Sequence, residues 1–319
     1  MSQRLVYISG EYFPESEAKV SVFDSAVMLG DTATESTRTF LQKPFKLDEH
    51  VERLYYSLKI MRIDMEMTPD QMRQATLATA QRNLPLYGED EDIWLVHNVS
   101  RGAYPPSGDQ STKRVPTVII HTAPMNLDYW AEFYVRGCHA VTPVSRMMPA
   151  QSLDPKIKNR SRLAYTLAEL ETKLVDPRAQ GIILDTNGFL AENKGGNFFI
   201  VKDGVLKTPP TYQALAGVTR QTTLEIAQSK GIPLEVCPLQ PYDVYVADEA
   251  FFTSTPYCIM PATQFNGLPV GDARIGPVAK QLLDGWSELA GFDIVDKALR
   301  SLEPPLRDEL LQERGQSAT

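Results

Sequence analysis

The chain has 319 residues, 43% of them hydrophobic, and a formal net charge of −8. That length suits about two ordinary domains and that apolar content a buried core, which excludes a disordered chain. An acidic balance without clustered Lys and Arg excludes a nucleic-acid footprint. The three cysteines, at 138, 237 and 258, are too widely spaced for a disulfide framework or a metal knuckle. The four histidines show no ligand spacing either, so no metal is expected.

The first residues, 1–13, carry no apolar core of signal-peptide type, and no run approaches about 18 apolar residues. A cytoplasmic protein with no membrane association is the expectation.

In chain order, Leu5, Tyr7 and Phe13 around Gly10 predict a hairpin, and 33–40 a further strand. Val51, Leu54, Leu58 and Met61 recur at helical spacing behind Asp48, a candidate cap. A second helix starts at Thr68, with Pro69 in its first turn. Strands at 93–100 and 115–121 flank a Gly/Pro/Ser-rich loop at 102–111. Periodicity lapses near 124–133, which predicts an interdomain linker between a smaller domain at 1–123 and a larger one at 134–300. The second half predicts a strand at 138–145 and a helix at 161–175 with Leu163, Leu167, Leu170 and Leu174 on one stripe. Strands at 181–185 and 197–201, a helix at 219–230, a strand at 249–253 and a helix at 275–289 follow. The charged, Pro-containing residues 301–319 suggest a flexible tail. The fold class is mixed, α/β or α+β, in two domains.

Chemistry of the aldehyde-cofactor type needs a lysine, an acid facing a ring nitrogen, backbone N–H donors for a phosphate and an arginine beside that phosphate. No one of these is specific alone. Their order here is. Residues 45–57, with His50, Arg53, Leu54 and Ser57, resemble the H-x-x-R-L-x-x-S helix of class IV (branched-chain and D-amino-acid) aminotransferases. Residues 154–159 resemble that family's Schiff-base segment, 180–199 its G-x-x-x-E and N-x-F signature, 215–220 its G-[VI]-T-R phosphate loop, and 248–261 its closing loop.

The resemblance implies a fold type IV enzyme with a small N-terminal α/β domain, a larger barrel-like C-terminal domain with helices, and pyridoxal 5'-phosphate as cofactor. It implies transfer of an amino group from an amino acid or amine donor to a 2-oxo acid by a ping-pong route, in a homodimer. An aminodeoxychorismate-lyase-type reaction on the same fold is the alternative. Lys158 takes the role of the Schiff-base lysine and acid/base. Lys156 mimics the local pattern, but Lys158 lies 34 residues before Glu192, the family's interval, against 36 for Lys156. Glu192 would face the ring nitrogen, and Asn197 would steady its strand. Arg53, Gly217, Val218, Thr219, Ser254 and Thr255 would hold the phosphate. The family's Tyr five residues after the lysine is Leu163 here, and Tyr165 is not given that role.

The substrate side departs from the pattern. Branched-chain enzymes bind the donor carboxylate with N–H groups after the last phosphate-binding Thr, and here Pro256 follows Thr255. D-amino-acid enzymes resemble this chain at 99–102 and at Gly30, Asp31 and Glu35, yet place an Arg and a His where this chain has 103–108 without either. Leu29, Arg38, His97, Arg101, Pro256 and Tyr257 are therefore candidate substrate contacts; either Arg38 or Arg101 rebuilds the carboxylate site, or the amino donor lacks an α-carboxylate.

Overall fold

The computed structural model describes residues 3–105, 107–108 and 112–316; residues 106 and 109–111, within the predicted loop, and the last three residues of the predicted tail lie outside them. The chain divides into two compact units. One takes the chain through Met125 together with Ile157–Arg162, the other Asn126–Lys156 and Leu163 onward.

The first unit is a six-stranded sheet under helices. Its elements are β1 (Leu5–Ile8), β2 (Glu11–Pro14), α1 (Ser25–Leu29), β3 (Thr32–Phe40), β4 (Lys43–Pro44), α2 (Leu47–Ile60), α3 (Pro69–Asn83), β5 (Ile93–Ser100) and β6 (Thr117–Pro124). The strand order is β2-β1-β6-β5-β3-β4, and each paired neighbour is antiparallel. Val51, Leu54 and Leu58 face the sheet from α2 and pack with Tyr7, Val99, Val118 and Ile120. Thr68 caps α3 in a reciprocal box with Gln71, as its sequence predicts. Asp48 sits in the first turn of α2, not at its cap, because the helix begins one residue earlier behind Lys46 in the left-handed region.

Asn83, fully buried, pairs with both backbone groups of one residue. Its Nδ2 donates to the carbonyl of Leu5 and its Oδ1 accepts from Leu5 N, each at 2.8 Å. Asn83→Ala orphans a donor and an acceptor at once, so a loss of about 2–3 kcal/mol is expected in urea unfolding. A loss below about 0.5 kcal/mol would show that water reaches both groups.

The second unit holds α4 (Asp128–Ala131), α5 (Phe133–Arg136), β7 (Cys138–Val141), α6 (Leu163–Val175), β8 (Gln180–Gly181), β9 (Ile183–Leu184), β10 (Leu190–Asn193), β11 (Gly196–Lys202) and β12 (Val205–Thr208). After these come α7 (Val218–Ser229), β13 (Leu234–Val236), α8 (Pro241–Tyr245), β14 (Glu249–Ser254), β15 (Cys258–Phe265), β16 (Leu268–Pro269), α9 (Pro277–Ala290), α10 (Ile294–Arg300) and α11 (Leu306–Gln316). Its ten strands make one mixed sheet that runs β8-β7-β15-β14-β11 and continues through β10 to β9. Because β8 and β9 are consecutive in the chain, the sheet curls into a nearly closed, barrel-like form. Phe198, Phe199, Phe251 and Phe252 are fully buried along β11 and β14, with Phe199 and Phe251 stacked.

Three expectations change. The strand from 138 ends at Val141. The leucine stripe of α6 faces outward, with Leu163, Leu170 and Leu174 at 71%, 59% and 87% exposure, while Ala168 and Thr172 take the buried face. Residues 306–316, expected as a loose tail, form α11. Leu310 is buried there, and Glu309 and Glu313 reach Arg136.

Candidate active site

Residues 157–162, expected within the C-terminal domain, belong with the first unit for a physical reason. Their extended backbone pairs with β3: Thr34 N donates to the Lys158 carbonyl and Arg160 N to the Thr32 carbonyl, each at 2.9 Å, with a bridge between Ala33 and Asn159. Lys158 N in turn donates to Ser57 Oγ on α2, at 3.1 Å. Lys158 is thus held by its main chain on two sides, and the residue is half-buried. Lys156 is exposed and bridged to Asp154.

On α2, one turn before Ser57, lies Arg53. Its Nε and Nη2 both meet the carboxylate of Glu35, at 2.8 and 2.6 Å. His50 Nδ1 lies 2.9 Å from the same carboxylate. Burial alone would raise the Glu35 carboxyl, but the charges and hydrogen bonds of Arg53 and His50 outweigh it and hold it well below its ordinary range. Burial pushes His50 down, with Glu35 opposing and the charge of Lys158 adding to the fall.

The second unit carries the acid. Glu192 on β10 is only 4% exposed. Its Oε1 accepts from the hydroxyl of Tyr165 at 2.6 Å and its Oε2 from Leu215 N at 2.8 Å. Asn197, opposite Glu192 in register, donates through Nδ2 to the Leu215 carbonyl at 2.8 Å. Leu215 is therefore clamped at both its N–H and its C=O by the hairpin that bears Glu192. Two residues later Gly217 starts α7 without any side-chain cap, which leaves the first-turn N–H groups of Val218 and Thr219 as donors of the kind an anion takes. A Cβ at Gly217 would lie 2.2 Å from Asn197 Oδ1, so a larger residue there would have to push aside the amide that holds Leu215.

Ser254 ends β14 with its hydroxyl donating to the Gly195 carbonyl. Thr255, Pro256 and Tyr257 form the turn into β15; Tyr257 is buried, and its carbonyl accepts from Tyr134. Uncapped helix N–H groups beside hydroxyls suit a phosphate, and a buried carboxylate suits a protonated ring nitrogen. The donor set fits the phosphorylated aldehyde cofactor that the sequence implies.

The candidate substrate residues are less concentrated. Leu29 is exposed at the end of α1. Arg38 is buried, ion-paired with Asp92 and donating to the Thr39 carbonyl, with its guanidinium over Phe40. Arg101 pairs with Asp31 and donates to the carbonyls of Met61 and Arg62. Both guanidiniums serve local structure, so neither is placed as a carboxylate receptor. Sequence reading passes over Tyr165, since its spacing from Lys158 does not match the family's tyrosine. It also gives Glu35 no role beyond a motif match.

His97 is fully buried, opposite Glu35 in register, with Nε2 at 2.7 Å from Thr76 Oγ1. The Thr76 hydroxyl donates to the Met72 carbonyl, so Nε2 carries the proton, and Nδ1 has no partner. Burial lowers its pKa from about 6.5 to about 4. Between those values the unfolded chain binds a proton that the folded chain refuses, so stability falls as pH drops through that window, by up to about 3 kcal/mol. His97→Gln is expected to flatten the slope of the urea midpoint between about pH 6.5 and 4. An unchanged slope would assign it to other groups.

The amino-transferase class IV family model matches residues 32–265. The chain belongs to the class IV aminotransferases. A Methanocaldococcus jannaschii protein provisionally assigned as a branched-chain-amino-acid aminotransferase is 33% identical over 89% of this chain and 96% of its own. The branched-chain amino acid aminotransferase of Escherichia coli shares the fold with a TM-score of 0.83 and 28% identity, over 90% of this chain and 95% of that one. A second branched-chain amino acid aminotransferase, from the source abbreviated T.th., superposes with a TM-score of 0.81 and 26% identity, over 91% and 95%. It has been crystallised with pyridoxamine 5'-phosphate and with N-(5'-phosphopyridoxyl)-L-glutamate. This class IV chain is thus a transferase built on the fold type IV scaffold. Among the described residues, no helix is long and apolar enough to cross a membrane, and no group of three or more His, Cys, Asp or Glu could hold a metal.

Proposed function

We propose that this chain is a pyridoxal 5'-phosphate-dependent transaminase that moves an amino group from an amino acid or amine to a 2-oxo acid by a ping-pong route. The observation that carries the reading is Glu192: a buried carboxylate with an anion-stabilising donor on each oxygen, clamped to the loop that opens α7. When bound, the cofactor supplies an electrophilic aldehyde and an electron-accepting ring. Lys158 Nζ would hold that aldehyde carbon covalently, with loss of water, until the donor amine displaces it, and the freed amine would then take the proton from the donor's Cα. Glu192 would keep a proton on the ring nitrogen. Val218 N, Thr219 N and its hydroxyl, Thr255 and Arg53 would hold the phosphate, with Gly217, Asn197 and Ser254 shaping that loop.

The donor is less constrained. Pro256 removes one N–H from the turn that follows Thr255. With Arg38 and Arg101 engaged elsewhere, an α-carboxylate has fewer receptors than in a branched-chain enzyme, and amines without one become candidate donors. A screen of L-amino acids, D-amino acids and simple amines against pyruvate and 2-oxoglutarate tests the reading. Consumption of an oxo acid with matched amine transfer supports it. Product release without a consumed acceptor would point to the lyase chemistry instead.

The outward leucines of α6 favour a homodimer, since several large aliphatic side chains on one short helix exceed the scattered exposure of a monomer. Light scattering is expected to give twice the chain mass.

A further inference from the structure

Glu35 stands outside the residues assigned above, yet its carboxylate accepts four hydrogen bonds. It is wholly buried, and it accepts from Arg53 Nε and Nη2, from His50 and from Ser36 N. Three of the four donors meet Oε1 and the fourth, Arg53 Nε, meets Oε2, so both oxygens of the ionised carboxylate are engaged. A side-on pair to Nε and Nη2 fixes the plane of a guanidinium, and with it the direction of the other N–H groups. The arginine on α2 is therefore oriented from β3.

The same strand carries the lysine. Thr34 N, one residue before Glu35, donates to the Lys158 carbonyl, and the Thr32 carbonyl accepts from Arg160 N. Arg53 and Lys158 are thus both referenced to residues 32–35 of β3. One group takes the phosphate and the other the aldehyde carbon of a single rigid molecule, so their separation must match its length.

We propose that Glu35 is a positioning residue that orients Arg53 for the cofactor's phosphate, so that β3 sets the spacing between the phosphate-holding arginine and the aldehyde-bonding lysine. This rests on the cofactor reading above. His50 completes the arrangement by donating to the same carboxylate, so the buried Glu35 has its acceptor oxygens satisfied. The role differs from that of an ordinary buried ion pair in one respect: it predicts damage only to phosphate-dependent binding.

The test is a spectroscopic titration of the full-length protein, stripped of cofactor, with pyridoxal 5'-phosphate and separately with pyridoxal, which lacks the phosphate. The variants are Glu35→Gln and Glu35→Asp; the aspartate keeps the buried charge if the glutamine fails to fold. Both are expected to weaken pyridoxal 5'-phosphate by roughly 10–100-fold, the usual cost of losing a partner that orients a binding group. Pyridoxal is expected to stay within about twofold, and in an Arg53→Ala background the Glu35 effect should vanish. Equal weakening of both ligands, weakening of neither, or full additivity with Arg53→Ala would overturn the proposal. A wild-type protein that binds both ligands alike, or neither, would instead overturn the reading of Arg53 or of the cofactor.

Discussion

Lys158→Ala is expected to lower turnover by about 10⁴-fold or more and to abolish the visible band of the protein with bound cofactor. The size follows from removing two functions of one amine: the bond to the aldehyde carbon and the proton transfer at the donor's Cα. The neighbouring lysine is the control. Lys156 is exposed and bridged to Asp154, in an environment where substitution usually costs little. Lys156→Ala should stay within about twofold of the parent. The discriminating structural feature is main-chain anchoring: Lys158 has its carbonyl held by Thr34 N and its N–H by Ser57 Oγ. Loss of the band in Lys156→Ala, with Lys158→Ala still coloured, would reverse the assignment. The backbone pairing of 157–162 runs through main-chain atoms, so the alanine variant should keep it.

Much of this site is legible in the residues because its parts are local. Gly217, Val218 and Thr219 announce an uncapped helix start, and the hairpin from Leu190 to Lys202 places Asn197 opposite Glu192 through a short turn. What sequence periodicity cannot supply is a partner far along the chain. Arg38 and Arg101 look like available cations until Asp92 and Asp31, 54 and 70 residues away, are placed against them. The segment 157–162 joins the first unit by pairing with β3, a strand far earlier in the chain. No local pattern signals such pairing. The stripe of α6 teaches a narrower lesson: spacing groups Leu163, Leu167, Leu170 and Leu174 on one face, but says nothing of which face the unit covers. Tyr165 escapes notice for a similar reason, since a family spacing counted from Lys158 cannot see a contact made to Glu192.

That contact shapes the second large effect. Glu192→Gln is expected to reduce turnover by about 10²–10³-fold, with a loss of about 1–3 kcal/mol in stability where its NH₂ meets an existing donor. Both oxygens of the carboxylate accept hydrogen bonds, from the Tyr165 hydroxyl and from Leu215 N, and donors of this kind favour the ionised form. An anion so held keeps the ring nitrogen protonated; a neutral amide cannot, and its NH₂ would face one of the two existing donors. Tyr165→Phe removes only one of the donors and leaves the charge, so a loss of about tenfold or less is expected. The order Glu192→Gln, then Tyr165→Phe, then parent is therefore predicted for turnover. The absorbance band should shift in the first variant alone, because only there does the ring lose its proton. Turnover of Glu192→Gln within about tenfold of the parent, with an unshifted band, would remove Glu192 from the chemistry and leave it as the clamp of Leu215.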